Sequence, residues 1–240
     1  KKKESRGGDK MLEELKVRVF QETMKLVKYG LVGLTRGNVS GIDQEKGLMV
    51  ITPSGVPYEE MKAEDMVVVD MIDGRVAEGG KPSGDTPTHL HLYRTFPELG
   101  GIVHIHSLNA TVWAQAGKGI PPYGVIHADA FCGEIPCTRG LTEKECKNSY
   151  ELNVGKLIEE TFNQRDYIEI PGVLVKSHGA VTWGDCVERA AENAMALEAA
   201  AEIAIKMKSI DSEVSEIEAF LLEKRYMKKH GKRTNRNSRK

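Results

Sequence analysis

Cysteine is scarce: Cys132, Cys137, Cys146 and Cys186 are the whole supply, and no two form a Cys-x-x-Cys pair. Such a count in 240 residues excludes a disulfide-stapled scaffold, and the spacing leaves reduced thiols with no metal role as the expectation. Charge of one sign is missing too. Lys and Arg number 34 against 35 Asp and Glu, a formal net charge of -1, so no overall field favours nucleic acid or an anionic membrane as partner. No apolar run approaches bilayer length, and the polar start, Lys1 to Lys10, leads into an amphipathic pattern rather than an apolar signal core. A soluble, cytoplasmic protein is therefore expected. Internal repeats and an inter-domain linker are also lacking. One domain is expected at 11–231, flanked by a loose tail or remnant at 1–10 and a basic tail at 232–240.

What is present is enough apolar material, 40% of the chain, to fill a core between layers. Helical spacing of Met11, Leu12, Leu15, Val19, Met24, Leu26 and Val27 predicts an opening helix that stops at Gly30. Strands are expected at 33–40 and 47–52, and a hairpin at 66–78 turns on Asp73-Gly74. Asp85 or Thr86 followed by Pro87 starts a helix that runs to about Phe96. A strand at 102–106, a helix at 109–115, an amphipathic helix within 141–164 and a short strand at 173–176 follow. The Ala-rich run from Arg189 to Lys208 and the stretch from Ser212 to Lys229 complete a helix-rich end. Strands with helices throughout place the chain in the α/β or α+β class.

The chemistry centres on His104-Ile105-His106. On a strand, alternate side chains share a face, so the two imidazoles form a clip with Ile105 buried behind them. A catalytic zinc takes three protein ligands and one open position, which directs attention to Asp85 and His178. Each has an ordinary use as well: Asp85 as a helix cap, His178 as a turn residue before Gly179. His89 and His91 diverge on a helix and read as surface or packing residues. Ser83-Gly84 before a helix start, Ser54-Gly55 after a strand and Gly37-Asn38 are three turns able to meet an anion, although such dipeptides are also common turns. In His127-Ala128-Asp129, the carboxylate is either an acid/base or a solvated loop residue.

Taken in order, these segments are similar to the class II aldolase/epimerase family, most closely to its L-ribulose-5-phosphate 4-epimerase members. The resemblance runs from about Met11 to Gly231. It is carried by Gly37-Asn38-Val39-Ser40, Pro53-Ser54-Gly55-Val56, Lys81 to His89, Gly100 to Ser107, His127-Ala128-Asp129 and Pro171 to Gly179. The resemblance implies a three-layer α/β/α fold with a largely antiparallel nine-stranded sheet, a homotetramer and active sites at subunit boundaries. It implies zinc, or another divalent ion, held by Asp85, His104, His106 and His178. It further implies a phosphorylated ketopentose held by Gly37, Asn38, Ser54, Gly55, Ser83 and Gly84, with Asp129 of a neighbouring subunit as acid/base. The implied reaction is metal-dependent retro-aldol epimerisation of L-ribulose 5-phosphate to D-xylulose 5-phosphate in arabinose-type catabolism. An aldolase cleaving a related ketose phosphate such as fuculose 1-phosphate is the first alternative, and a non-catalytic module like the adducin head the second. Fuculose-phosphate aldolases carry Glu where this chain has Asp85.

Three departures accompany the resemblance. The epimerases carry a tyrosine shortly after a C-terminal His-Gly, whereas Gly231 is followed here by 232–240 without one, and Tyr226 precedes His230. A phenol can exchange a proton and a guanidinium effectively cannot. Gly84 replaces a second serine, and Thr52 stands where some members have lysine.

Overall fold

The structure, a computed structural model, describes residues 4–33 and 36–231. Helix α1 (Glu4–Lys28) begins before Met11, so the backbone of 4–10 is helical where a loose tail is expected. Residues 1–3, 34–35 and the basic tail at 232–240 lie outside the described residues. After α1 come β1 (Asn38–Asp43), β2 (Leu48–Ile51), β3 (Val67–Asp70), β4 (Val76–Glu78) and α2 (Thr86–Thr95). Then follow β5 (Gly101–Ile105), α3 (Leu108–Ala116), α4 (Val125–Ala128), α5 (Glu143–Lys147) and α6 (Tyr150–Thr161). β6 (Gly172–Val175), β7 (Gly179–Gly184), α7 (Val187–Ile210) and α8 (Ala219–His230) close the order. No helix among the described residues is long and apolar enough to cross a membrane.

The strands form one sheet in the order β4-β3-β2-β1-β5-β7-β6, and every pairing between them is antiparallel. Seven strands, not the expected nine, are present among the described residues. Proline accounts for much of the shortfall. Pro53 and Pro82 face each other in an isolated bridge, and neither has an N–H to extend it into a ladder. Ile120 and Ile135 likewise make one bridge, with Pro121 and Pro136 as their next neighbours.

Helices cover both faces, which is why the strands read as almost unbroken apolar runs. Val39, Val50, Val68, Val103, Ile105 and Leu174 point toward α1, α3 and α7. Met49, Ile51, Val67, Val69, Ile102 and Trp183 point the other way, into a second core with α2 and α6. The two sets alternate along β2, β3 and β5, as the period of two requires. The sequence reading missed β7, whose Thr182 and glycine ends blur the apolar pattern. Thr182 is nevertheless fully buried, its hydroxyl donating to the Ala190 carbonyl at 2.9 Å.

α7 lies close against β5 and β7 because Ala190, Ala191, Ala194, Ala201 and Ala204 line its buried side. No room remains for a larger residue there. Ala194→Leu is expected to lower stability by about 1–3 kcal/mol through overpacking, measured by denaturant unfolding. An unchanged midpoint would show that α7 is not seated tightly on the sheet.

Candidate metal centre

β5 lies between β1 and β7, and its C-terminal end carries the clip. Alternation turns His104 to the same face as Ile102, while Ile105 is buried on the opposite face. His104 Nδ1 donates to the Ala180 carbonyl at 2.9 Å, which fixes the tautomer and leaves Nε2 with its lone pair free. His178 arrives from the β6–β7 turn. Ser177, immediately before it, adopts a left-handed conformation (φ 63°), which costs a non-glycine residue about 1 kcal/mol. Gly179 lets this turn approach β5, since a Cβ there would stand 2.5 Å from the Ile105 carbonyl oxygen.

The three imidazoles therefore converge. Their ligand atoms all lie within 4.8 Å of one another, and the Nε2 atoms of His104 and His106 are 2.9 Å apart. Around a tetrahedral ion with Zn–N bonds of about 2.0–2.1 Å, donor atoms are separated by about 3.3 Å, so only small side-chain adjustments would close the set on a divalent ion. The electrostatics favour this use. Burial lowers the pKa of all three rings, to about 4 for His178, so the rings stay neutral and keep the lone pairs a metal needs. The His178 Nδ1 lies 3.3 Å from the Tyr150 hydroxyl oxygen.

Asp85 occupies the cap position of α2 yet makes no side-chain cap bond. Its carboxylate instead accepts from Asn38 Nδ2 at 2.6 Å and lies 4.0 Å from His104 Nε2. Burial opposes its ionisation, but His104, His89 and the Asn38 amide outweigh burial and hold the carboxyl below its ordinary range. Asn38 is brought there by register, pairing across the β1–β5 ladder with His104. Its Oδ1 is buried without a hydrogen-bond partner, an acceptor left for something outside the chain.

Beside the cluster opens a cavity of about 360 Å³, lined among others by Asn38, Ser54, Gly55, Ser83, Gly84 and Asp85. Gly37 and His106 also line it, so all the expected anion-turn residues meet at one place. The Ser54 N–H donates to the Lys81 carbonyl and the Ser83 N–H to that of Thr52, so these serines bring hydroxyls rather than amides to the cavity. His89 and His91 stay outside the imidazole cluster. His89 is fully buried with Nδ1 2.7 Å from Ser40 Oγ, and His91 Nε2 meets Glu159 at 2.7 Å.

Asp129 is not brought to this cavity within the chain. Its carboxylate accepts two bonds from Arg225, at 2.8 and 2.6 Å, and its carbonyl accepts from His230 Nε2. Tyr226 is buried and stacks on His230 with ring centroids 4.3 Å apart. The sequence reading missed Glu198. From α7 its carboxylate accepts from Ser107 Oγ, Asn109 Nδ2 and the N–H groups of Asn109 and Ala110, anchoring the start of α3 just after His106. No local signal in the sequence marks it, because its partners lie some ninety positions away.

Three neutral imidazoles and a carboxylate beside a hydroxyl-lined cavity define a divalent-metal site able to act on an oxygen-rich, anionic small molecule. The chain belongs to the class II aldolase and adducin N-terminal domain family, which residues 18–205 match. It is similar to an L-fuculose 1-phosphate aldolase of known structure, at 28% identity over 90% of this chain and 95% of that one, with a TM-score of 0.75. The L-fuculose-1-phosphate aldolase of Thermus thermophilus shares the fold at 21% identity, covering 85% and 98% of the two chains, with a TM-score of 0.66. YgbL from Escherichia coli also shares it at 21% identity, covering 88% and 97%, with a TM-score of 0.71. The family is thus the expected one. Of its branches, the aldolase alternative has the better support.

Two outcomes are expected. His178→Ala should lower divalent-metal affinity at least about a hundredfold in a chelator competition, whereas Tyr150→Phe should cost about tenfold or less. Wild-type affinity in His178→Ala would exclude the cluster as the metal site. His127, whose Nε2 donates to the Gly133 carbonyl, has its pKa lowered by burial from 6.5 to about 4. The unfolded chain thus takes up a proton below pH 6.5 that the folded chain refuses until about pH 4, so this group removes stability as pH falls through that window. In His127→Gln, proton uptake on unfolding at about pH 5 should fall by about one, read from the pH dependence of the unfolding free energy. An identical dependence would overturn the assignment.

Proposed function

We propose that the protein is a divalent-metal aldolase that breaks the C3–C4 bond of a phosphorylated ketose, with a ketose 1-phosphate such as L-fuculose 1-phosphate as the first substrate to test. The observation that carries this reading is the convergence of His104, His106 and His178 beside Asp85 at the mouth of the serine-lined cavity. The 28% identity to an L-fuculose 1-phosphate aldolase over nearly the whole of both chains supports the choice of reaction. An ion held by the imidazoles would supply Lewis acidity toward the ketone and adjacent hydroxyl oxygens.

The chain's own residues do the rest. Ser54 and Ser83 offer hydroxyls to the phosphate, and the unpartnered Asn38 Oδ1 accepts from a sugar hydroxyl. Cleavage removes the proton of the C4 hydroxyl and leaves an electron pair at C3. Asp85 is the one carboxyl among the described residues lining the cavity, and it is the group positioned to move a proton at C3. Tyr58 cannot share that task readily: burial raises its pKa to about 12, and its hydroxyl donates to the carbonyls of Arg36 and Gly37. The products from L-fuculose 1-phosphate are dihydroxyacetone phosphate and lactaldehyde, and atoms balance without any redox partner.

The epimerase reading retains one observation in its favour, the Asp rather than Glu at position 85. In that reading Asp85 is the fourth metal ligand. Asp129 is paired with Arg225, and the buried Tyr226 lies against His230, so neither supplies a second acid/base within the chain. A non-catalytic role like that of an adducin head would have no use for three neutral, convergent imidazoles.

Metal-loaded protein is expected to release dihydroxyacetone phosphate from L-fuculose 1-phosphate in a coupled reductase assay. Conversion of L-ribulose 5-phosphate to xylulose 5-phosphate instead would establish the epimerase. Asp85→Asn should keep its metal and lose at least about a hundredfold in cleavage rate. Loss of the metal in that variant would make Asp85 a ligand rather than a proton carrier.

A further inference from the structure

The cavity contains one guanidinium that neither the family resemblance nor the motif reading assigns. Arg36 lines its wall, is exposed, and makes no ion pair with any described residue. It is the one Arg or Lys among the described lining residues, and Asp85, the one carboxylate, is engaged with Asn38 at the metal end. The backbone beneath Arg36 is held in place. Tyr58, itself buried, donates to the Arg36 carbonyl at 3.2 Å and to the Gly37 carbonyl at 3.0 Å. Gly37 has φ 101° and packs so closely on β5 that a Cβ would stand 2.9 Å from the His104 carbonyl oxygen. Arg36 therefore projects from a backbone pinned to the strand that carries the metal clip, and its charge reaches far enough to disfavour protonation of His106.

Serine hydroxyls and an amide suit a neutral sugar as well as a phosphate, so they do not by themselves discriminate. A guanidinium does. It presents paired N–H donors that match two oxygens of a phosphate dianion, and it never gives up its charge. We propose that Arg36 is the residue that selects a phosphorylated over an unphosphorylated substrate in this cavity. The proposal rests on the sugar-phosphate reading above and adds the group that enforces it.

The test is calorimetric titration of the metal-loaded protein with inorganic phosphate, dihydroxyacetone phosphate and dihydroxyacetone. Arg36→Gln should weaken binding of both phosphates by about ten- to a hundredfold and leave dihydroxyacetone unchanged. Arg36→Lys should recover part of the loss, because it restores the charge without the fork. Affinity for phosphate should also fall less steeply with salt in Arg36→Gln than in wild type. Wild-type phosphate affinity in Arg36→Gln, with weakening confined to Ser54→Ala and Ser83→Ala, would overturn the proposal, as would a wild-type protein that binds no phosphate. Phosphate binding that depends on Arg36, without turnover of either sugar phosphate, would defeat the aldolase reading and leave Arg36 in place. Turnover with an unchanged KM in Arg36→Gln would do the reverse.

Discussion

The antiparallel seating of β5 between β1 and β7 is the constraint on which the rest depends. Its register puts Asn38 opposite His104 on one side and Ala180 opposite Ile105 on the other. From the first pairing comes the amide that holds Asp85; from the second comes the carbonyl that fixes the His104 tautomer and, one turn back along the chain, His178. A slip of one residue in either ladder would send these side chains to the opposite face and scatter the site. The register is protected by burial on both faces, because the same slip would exchange Ile102 and Val103 between two differently shaped cores.

That dependence explains what was legible in the sequence. The His104-Ile105-His106 clip could be read because strand alternation is a local rule, and the structure turns Ile105 away from the cluster as the rule requires. Asp85 was legible as a helix start, but whether it capped α2 or turned to the metal hinged on Asn38, 47 positions earlier, and no local rule joins the two. β7 was overlooked because its glycines and Thr182 do not look like a strand until the neighbouring helix supplies an acceptor. The nine-strand expectation came from resemblance and did not weigh this chain's own prolines at 53, 82, 121 and 136. Glu198 and Arg36 act through tertiary contacts alone, so neither carries a motif.

The electrostatic character of the site follows from its place at the end of a doubly covered sheet. An imidazole at the mouth of an open cleft would be half-protonated near about pH 6.5 and would compete poorly for an ion. Burial of His104 and the crowding of three rings push protonation down instead, and the nearby carboxylate of Asp85 does not reverse it. The same helices that exclude water from β5 therefore also prepare the ligands. Folding and metal readiness are one event here, which makes the buried clip a product of the core rather than an addition to it.

What happens after bond cleavage turns on proton carriers, and here the chain is sparing. Re-forming the bond on the opposite face of an aldehyde calls for a second acid/base across the cavity from Asp85. Asp129 is clamped by the two-pronged Arg225 contact, and a guanidinium in that position favours a carboxylate that stays charged and stays put. Releasing it to a neighbouring subunit's cavity would require breaking that pair and moving α8, whose His230 also holds the Asp129 backbone. Cleavage needs no such rearrangement, since the first carboxylate already stands beside the imidazoles. The arrangement of this single chain thus supports the bond-breaking half of the chemistry more directly than the face-exchanging half, and it places the distinction between aldolase and epimerase in the Asp129–Arg225 pair rather than in the metal ligands.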